Sequence, residues 1–256
     1  MKALILLAAL SALVLAEKPR TNVPQKSLFV YCAAGMRKPM ETLARDYETS
    51  NKTKLELTYD GTNKLLGQIK LTRKGDVYIA GDADYIAMAR KDNLVGEAKT
   101  LCYFIPVIMV KKGNPLKISG FVDLMKPGIK VGQADDKAAA VGRIMPKLLA
   151  LNGIDTVVWK NNIVVSTPTV NELGIAVKLG TIDATVVWNA VAAMYSDASD
   201  TVIIPSDKNV VAEVEGAILA FSKDKTEAKK FLDYLVSDKA KQVLNANHYV
   251  TEDPRK

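Results

Sequence analysis

The stretch Leu28-Phe29-Val30-Tyr31-Cys32-Ala33-Ala34-Gly35-Met36 decides the fold, because it joins a strand pattern to a helix start. Its apolar run is continuous, as in a strand buried on both faces of a sheet, and apolar residues at helical spacing follow it. The same succession recurs along the chain. It predicts strands over 28–34, 55–59, 77–80, 103–110, 129–132, 163–165, 184–188 and 217–221, and helices over 36–50, 62–71, 84–91, 138–152, 169–180 and 225–245. This alternation predicts an α/β fold whose mixed, mainly parallel sheets are flanked by helices.

Two interruptions of the pattern favour two lobes. The turn-like segment 111–115 follows a long predicted strand, and a second β–α series begins at residue 129. The polar stretch 205–214 then precedes the last strand and helix. If these rejoin the first series, residues 27–107 and 214–256 form one lobe, residues 108–213 form the other, and the chain crosses the hinge twice.

The first residues indicate export. Met1-Lys2 precedes an apolar run over 3–16, which is too short to span a bilayer and ends in small residues. We therefore predict a signal peptide over 1–16, cleaved after Ala16, and a periplasmic or otherwise extracytoplasmic location. In such a compartment Cys32 and Cys102 either pair or remain two buried thiols, and the sequence leaves both open.

Composition and motifs exclude several kinds of site. The net charge of +7 is spread along the chain, unlike the concentrated basic element of a nucleic-acid-binding protein. His248 is the one histidine, so a Ser/His/Asp triad or a multi-histidine metal site has too few residues. The acidic groups 82–84 and 135–136 are interpreted as caps and turns rather than as acid/base pairs or metal ligands. We predict no enzyme activity, no cofactor and no metal held by side chains.

Four turns that combine small residues with a helix start point to an anion. Each offers unpaired N–H groups where the helix dipole favours negative charge. If both lobes present such turns, they enclose an oxyanion between them. The turns are Ala33-Ala34-Gly35-Met36, Asp60-Gly61-Thr62-Asn63, Ala139-Ala140-Val141-Gly142 and Thr167-Pro168-Thr169-Val170.

These features resemble the type II periplasmic binding proteins, and within them the molybdate/tungstate-binding proteins of ABC transporters. The resemblance implies reversible capture of a tetrahedral oxyanion by a monomer that delivers it to a membrane permease. It spans nearly the whole chain after the signal peptide. The stretches that carry it are 28–36, 59–65, 75–79, 112–116, 183–188 and 231–237.

The resemblance also implies a set of site residues. The family has a hydroxyl residue where this chain has Gly35, its second hydroxyl falls on Thr62, and its donating tyrosine falls on Trp188. Arg37 or Arg143 would replace the missing donor with a charge. The complete predicted ligand-binding set is Gly35, Met36, Arg37, Thr62, Asn63, Val141, Gly142, Thr169, Val170 and Trp188.

Other ligands stay open at this level. The altered site also fits sulfate, chromate, or an organic anion in a pocket lined by Tyr59, Tyr78, Tyr103 and Trp188. Two further hypotheses are a cation held by acidic residues and an enzyme that uses Asp60, Asp82 or Asp135.

Overall fold

The computed structural model describes residues 26–256, so the predicted signal peptide lies outside the described residues. Within them, no helix is both long and apolar enough to cross a membrane. The chain forms two sheets of five strands each, and each sheet is flanked by helices. The α/β architecture predicted from the sequence is therefore confirmed.

The first sheet has the strand order β2-β1-β3-β10-β4. Strand β1 pairs in parallel with β2 and β3, while β10 runs antiparallel to both β3 and β4. The strands are β1 (Lys26–Ala33), β2 (Thr53–Asp60), β3 (Val77–Ala80), β4 (Val95–Phe104) and β10 (Ala212–Leu219). The helices around this sheet are α1 (Arg37–Asn51), α2 (Thr62–Thr72), α3 (Ala83–Lys91), α9 (Lys225–Leu235) and α10 (Asp238–Ala246).

The second sheet repeats the plan with the order β7-β6-β8-β5-β9. Strand β6 pairs in parallel with β7 and β8, and β5 runs antiparallel to β8 and β9. The strands are β5 (Pro106–Lys111), β6 (Val131–Ala134), β7 (Ile163–Thr167), β8 (Ala184–Trp188) and β9 (Ser199–Ile203). The helices are α4 (Phe121–Leu124), α5 (Ala140–Leu151), α6 (Thr156–Asn161), α7 (Val170–Lys178) and α8 (Asn189–Ala193).

In each sheet the fourth strand of the order given above, β10 in the first sheet and β5 in the second, is the first strand after the chain crosses from the other lobe. The chain enters the second lobe between β4 and β5, with Ile105 alone between them, and it returns between β9 and β10. The predicted lobe boundary 107/108 lies after the second residue of β5, and the boundary 213/214 lies after the second residue of β10. They stay a prediction, and the strands place the two crossings slightly earlier in the chain.

The single strand predicted over 103–110 is wrong. Its first residues end β4 in one sheet and the rest form β5 in the other. Both halves are buried, so the apolar pattern does not register a change of sheet. The segment 111–115, which suggested the lobe boundary, is a turn within the second lobe.

The other differences are local. The long C-terminal helix predicted over 225–245 is two helices, because Ser237 begins a new one and its side chain accepts the Ala240 N–H at 3.3 Å. Strand β9 and the first part of β4 mix exposed and buried residues, so they lack the continuous apolar run from which the other strands were predicted.

The two cysteines are buried free thiols. Cys32 lies on β1 and Cys102 on β4, with β3 and β10 between them in the sheet. Burial raises the pKa of both thiols far above the usual value. The structure thus corresponds to the unpaired alternative.

Candidate functional site

A small cavity lies between the two lobes, where parallel strands of both sheets end and helices begin. This is the edge at which open α/β sheets bind ligands. The volume open to the centre of a water-sized sphere is about 20 Å³. Since one bound water needs about 10–15 Å³ by the same measure, the cavity suits a compact group. Its lining is Ala33, Ala34, Gly35, Asp60, Gly61, Thr62, Gly81, Phe104, Ala139, Ala140, Val141, Thr169, Val170 and Trp188.

Thr62 is the buried hydroxyl that the first lobe presents to this cavity. It begins α2, and its Oγ1 accepts the Gly81 N–H at 3.2 Å. Its carbonyl accepts the Tyr78 hydroxyl at 2.9 Å, which holds the turn against the core. A hydroxyl can accept and donate at once, so the Thr62 proton remains available to a ligand.

The second lobe presents the starts of two helices. Helix α5 begins after Ala139 and has no side-chain cap, so its first N–H groups lack a side-chain partner. Helix α7 begins after Thr169, which forms a capping box with Glu172. Both starts direct partial positive charge towards the cavity.

Aromatic rings form one wall. Trp188 is buried at the end of β8 and stacks on Phe104, with ring centroids 4.9 Å apart and planes at 17°. A Cβ atom on Gly35 would lie 3.3 Å from each of these rings. The Tyr249 hydroxyl donates to the Gly35 carbonyl and so holds the turn at residue 35 in place. The two rings therefore occupy the space beside residue 35 where a larger side chain would project.

The lobes meet closely at Gly61. A Cβ atom there would lie 2.5 Å from the Ala138 carbonyl oxygen and 2.6 Å from that of Pro168. The Gly61 φ of −59° suits any residue, so the requirement for glycine is one of space. Only a residue without a side chain lets the second lobe close on this turn.

Neither arginine proposed as a charged donor lines the cavity. The Arg37 guanidinium lies 4.2 Å from the centroid of the Tyr59 ring, and Arg143 pairs with Asp84 at 3.1 Å. Among the cavity-lining residues, Asp60 is the charged one, and its carboxylate accepts the Gly61 N–H of its own turn at 2.7 Å. An anion in this cavity would therefore be held by neutral donors and helix dipoles.

The structure brings six of the predicted site residues to the cavity and leaves four outside it. Met36 points into the core, where its sulfur lies 3.8 Å from that of Cys102. Asn63 hydrogen-bonds to the second lobe, and Gly142 packs against the carbonyls of Ala134 and Asp135. The fourth is Arg37. Those at the cavity are Gly35, Thr62, Val141, Thr169, Val170 and Trp188.

Sequence reasoning missed other lining residues. Ala33, Ala34, Gly61, Ala139 and Ala140 belong to the turns already singled out, so only their individual roles were overlooked. The same is true of Asp60, which was assigned to the enzyme hypothesis. Gly81 follows β3 and precedes a capped helix, a signal that was available in the sequence. No sequence signal identified Phe104, because it lies within an apolar run that was predicted as one continuous strand.

Most residues of the alternative hypotheses lie outside the cavity, and Asp60 and Trp188 are the exceptions. Asp82 caps α3 by accepting the Asp84 N–H at 2.8 Å, and Asp135 accepts the Lys137 N–H at 2.7 Å. Burial raises the pKa of Asp82. Of the four aromatic residues proposed for an organic anion, Trp188 alone lines the cavity. Among residues 26–256, no group of three His, Cys, Asp or Glu residues is placed to hold a metal ion.

Comparisons with known proteins agree with this architecture. A family model described as bacterial extracellular solute-binding protein matches residues 28–250. A Haemophilus influenzae protein described as a binding protein is 29% identical over 217 residues, which cover 84% of this chain and 87% of that protein.

Two solved structures share the fold. The periplasmic molybdate-binding protein of Azotobacter vinelandii matches with a TM-score of 0.77 at 16% identity, over 88% of this chain and 100% of that chain. The periplasmic binding protein AfuA of Actinobacillus pleuropneumoniae, with fructose-6-phosphate bound, matches with a TM-score of 0.77 at 16% identity, over 90% and 88% of the two chains. The predicted two-lobed fold of periplasmic binding proteins is confirmed, whereas the ligands of these two neighbours differ.

Proposed function

The chain belongs to the bacterial extracellular solute-binding protein family, and on that premise we propose that it captures a small tetrahedral oxyanion between its lobes. The anion meets one lobe, the hinge closes, and the other lobe supplies the remaining donors. The closed form then delivers the anion to the permease of an ABC importer. Within this class we propose molybdate or tungstate as the ligand, which the shared fold of the Azotobacter vinelandii protein supports.

The observation that carries the proposal is the composition of the small cavity. Helix starts of both lobes, the Thr62 hydroxyl and the Trp188 indole converge on it, and all of these can donate. No Lys or Arg is among the residues that line it. Dispersed neutral donors match an anion with several equivalent oxygens, because each oxygen can accept without a formal counter-charge.

The size of the cavity supports an inorganic anion. A volume of about 20 Å³ in the closed arrangement leaves little room beyond a compact group. A phosphosugar such as the one bound by AfuA needs a much larger closed cavity. Size therefore favours a tetrahedral oxyanion over an organic anion. The Asp60 carboxylate also lines the cavity, but it accepts the Gly61 N–H of its own turn, and the neutral donors of the other lining residues favour a fully deprotonated anion.

The cellular setting follows from the same family. Solute-binding proteins described as extracellular act outside the cytoplasm, which supports export by the predicted signal peptide and release of a mature chain. Binding requires no bond to break, so we propose a monomeric carrier rather than an enzyme.

A thermal-shift screen tests the proposal. Purified protein is heated with molybdate, tungstate, chromate, sulfate, phosphate, divalent cations and small organic anions. A ligand that binds only the folded state adds about 2.7 kcal/mol of stability at a hundredfold excess over its Kd. We expect Tm to rise with molybdate and tungstate. A rise confined to cations or to organic anions would contradict the proposal, and a rise with sulfate alone would retain the oxyanion class but change its member.

Thr62→Val tests the donor set. Removing the hydroxyl deletes one hydrogen bond to a charged ligand, worth about 1.5–3 kcal/mol, so affinity should fall roughly 10- to 150-fold. Thr62→Ser, which keeps the hydroxyl, is the matched control and should bind nearly as wild type. Titration followed by Trp188 fluorescence in a Trp159→Phe background measures both, because the chain has 2 tryptophans. Equal affinity of the Val and Ser variants would place the anion elsewhere.

A further inference from the structure

Two asparagines outside the cavity make reciprocal contacts between the lobes. Asn63 is the second residue of α2, and its Nδ2 donates to the Lys137 carbonyl at 2.6 Å while its backbone N–H donates to that of Ala138 at 2.9 Å. Asn171 is the second residue of α7, and its Nδ2 donates to the Ala34 carbonyl at 3.0 Å. Each lobe therefore reaches the other with the same residue type at the same helical position.

The acceptors lie at the helix starts that form the cavity. The Ala138 carbonyl precedes the uncapped start of α5, and Ala34 itself lines the cavity before α1. Each asparagine thus ties a helix start of its own lobe to the anion-facing turn of the other. These hydrogen bonds cannot form in an open protein, because donor and acceptor then lie on separated lobes.

We propose that Asn63 and Asn171 are paired clasps that hold the closed lobes and set how fast the bound anion leaves. The inference rests on the proposed function, since it concerns closure around that ligand. The two side chains are positioning residues: neither is among the cavity-lining residues, and both act through the geometry of the turns. Affinity set in this way appears in the dissociation rate, because the clasps form only after the ligand has entered.

Three further observations bear on how strongly the clasps hold the lobes together. The Oδ1 atom of Asn171 is buried without a hydrogen-bond partner among residues 26–256, so closure removes its water without replacing it. That cost partly offsets the hydrogen bond to the Ala34 carbonyl, so the clasps favour closure without locking an empty protein shut. An inter-lobe ion pair, Arg143 with Asp84, is exposed, with side chains 39% and 69% accessible, and such pairs contribute little. A third asparagine, Asn189, donates to the His248 carbonyl at 3.0 Å, beside the chain crossing at Ile105.

The test measures association and dissociation rates of the oxyanion identified in the screen, by stopped-flow fluorescence, for Asn63→Ala, Asn171→Ala and the double variant. Each lost hydrogen bond should raise the dissociation rate about 2- to 12-fold, and the association rate should stay within about twofold of wild type. The pair share no hydrogen-bond partner, so the double variant should show roughly the product. Asn51→Ala is the matched control, because it loses an amide hydrogen bond to the Tyr47 carbonyl within its own helix, and it should dissociate like wild type.

The clasp can fail separately from the proposed function. Unchanged dissociation rates in both single variants would overturn it even if molybdate binds. A drop in the Tm of the ligand-free variants that accounts for the lost affinity would also overturn it, since it would indicate a structural role. If no oxyanion binds, the proposed function fails, and the distance between spin labels at Lys91 and Lys147 still decides the clasp in the ligand-free chain. A smaller closed fraction in the double variant would support the clasp, and identical distance distributions would overturn it.

Discussion

Helices α5 and α7 both begin at the cavity in the second lobe, yet their first turns are satisfied differently. Helix α7 has a complete capping box, in which Thr169 and Glu172 satisfy each other's backbone N–H groups. Helix α5 begins at Ala139 with no side-chain cap. One start is stable without a ligand, whereas the other leaves donors for whatever occupies the cavity. An anion in the cavity can therefore serve as the missing cap of α5.

The largest loss of anion affinity should come from a change that keeps the first lobe from reaching the starts of α5 and α7. Gly61→Ala would place a Cβ atom about 2.5 Å from backbone oxygens that precede α5 and α7. Relieving such a clash costs on the order of 3 kcal/mol, or about 100-fold in anion affinity. Isothermal titration calorimetry with molybdate measures the loss, and the Tm of the ligand-free protein should hardly change.

Gly67→Ala is the matched control for that variant. It lies within α2, the helix that Gly61 precedes, and a Cβ atom there meets nothing within 4 Å. Alanine favours a helix over glycine by about 1 kcal/mol, so this variant should be slightly more stable and bind normally. Equal affinities of the two glycine variants would show that Gly61 does not govern closure.

A smaller effect should follow from giving α5 a cap of its own. In Ala139→Ser, the hydroxyl accepts an N–H of the first turn and competes with the anion for it. Ser at this position stabilises a helix by about 1 kcal/mol, so the Tm of the ligand-free protein should rise and anion affinity should fall about fivefold.

Glu172→Ala gives the opposite test on α7. It removes half of the capping box without altering a cavity-lining residue, so stability should fall while affinity is retained. Denaturant unfolding and calorimetry on both variants separate the two outcomes. If both variants lost stability and affinity together, the contrast between the two helix starts would have no functional meaning.

Lowering the pH should have the smallest effect on anion affinity. The carboxylates that support α9 are remote from the cavity: the Glu227 N–H holds the pKa of the Asp224 carboxyl below its ordinary value. Burial raises the pKa of Glu227 itself, but hydrogen bonds from Thr53, Tyr47 and Lys26 outweigh burial and hold it below its ordinary value. Depressed pKa values stabilise the fold above the unfolded-state pKa, near 4, and that stability is lost as pH falls through the folded values.

Urea unfolding at pH 7, 5 and 3 checks this expectation. Wild type should lose stability mainly below pH 5, and Glu227→Gln should be less stable at pH 7 but approach wild type at pH 3. The uncapped start of α5 has no titratable side chain at its cap, so anion affinity should be the same at pH 7 and 5. If the unfolding free energies of wild type and Glu227→Gln differed by the same amount at every pH, the charge of Glu227 would not be the cause of the difference.

Much of the fold followed from local pattern. The starts of α2, α5 and α7 were predicted within two residues, because the small-residue turns and the helical spacing of the apolar residues after them are local features of the sequence. The strand predicted over 103–110 failed for the opposite reason. An apolar run reports burial, and it is equally apolar when its two halves are buried in different lobes.

The candidate site divides in the same way. Thr62 and Trp188 reach the cavity as the resemblance implied, since each sits at the end of a correctly predicted strand or the start of a helix. Arg37 does not, because the Tyr59 ring offers its guanidinium a closer partner. Asn63, a predicted ligand-binding residue, is not among the cavity-lining residues and donates to the Lys137 carbonyl of the second lobe.

Local sequence patterns were enough to predict the alternation of strands and helices and the turns that expose N–H donors. These depend on residues close together in the chain. Only the tertiary structure decided which turns face one another, how small the cavity is and which asparagines join the lobes. Those properties arise from contacts between segments far apart in the chain, such as the hydrogen bond from Asn171 to the Ala34 carbonyl across 137 residues, and a local pattern does not report such contacts.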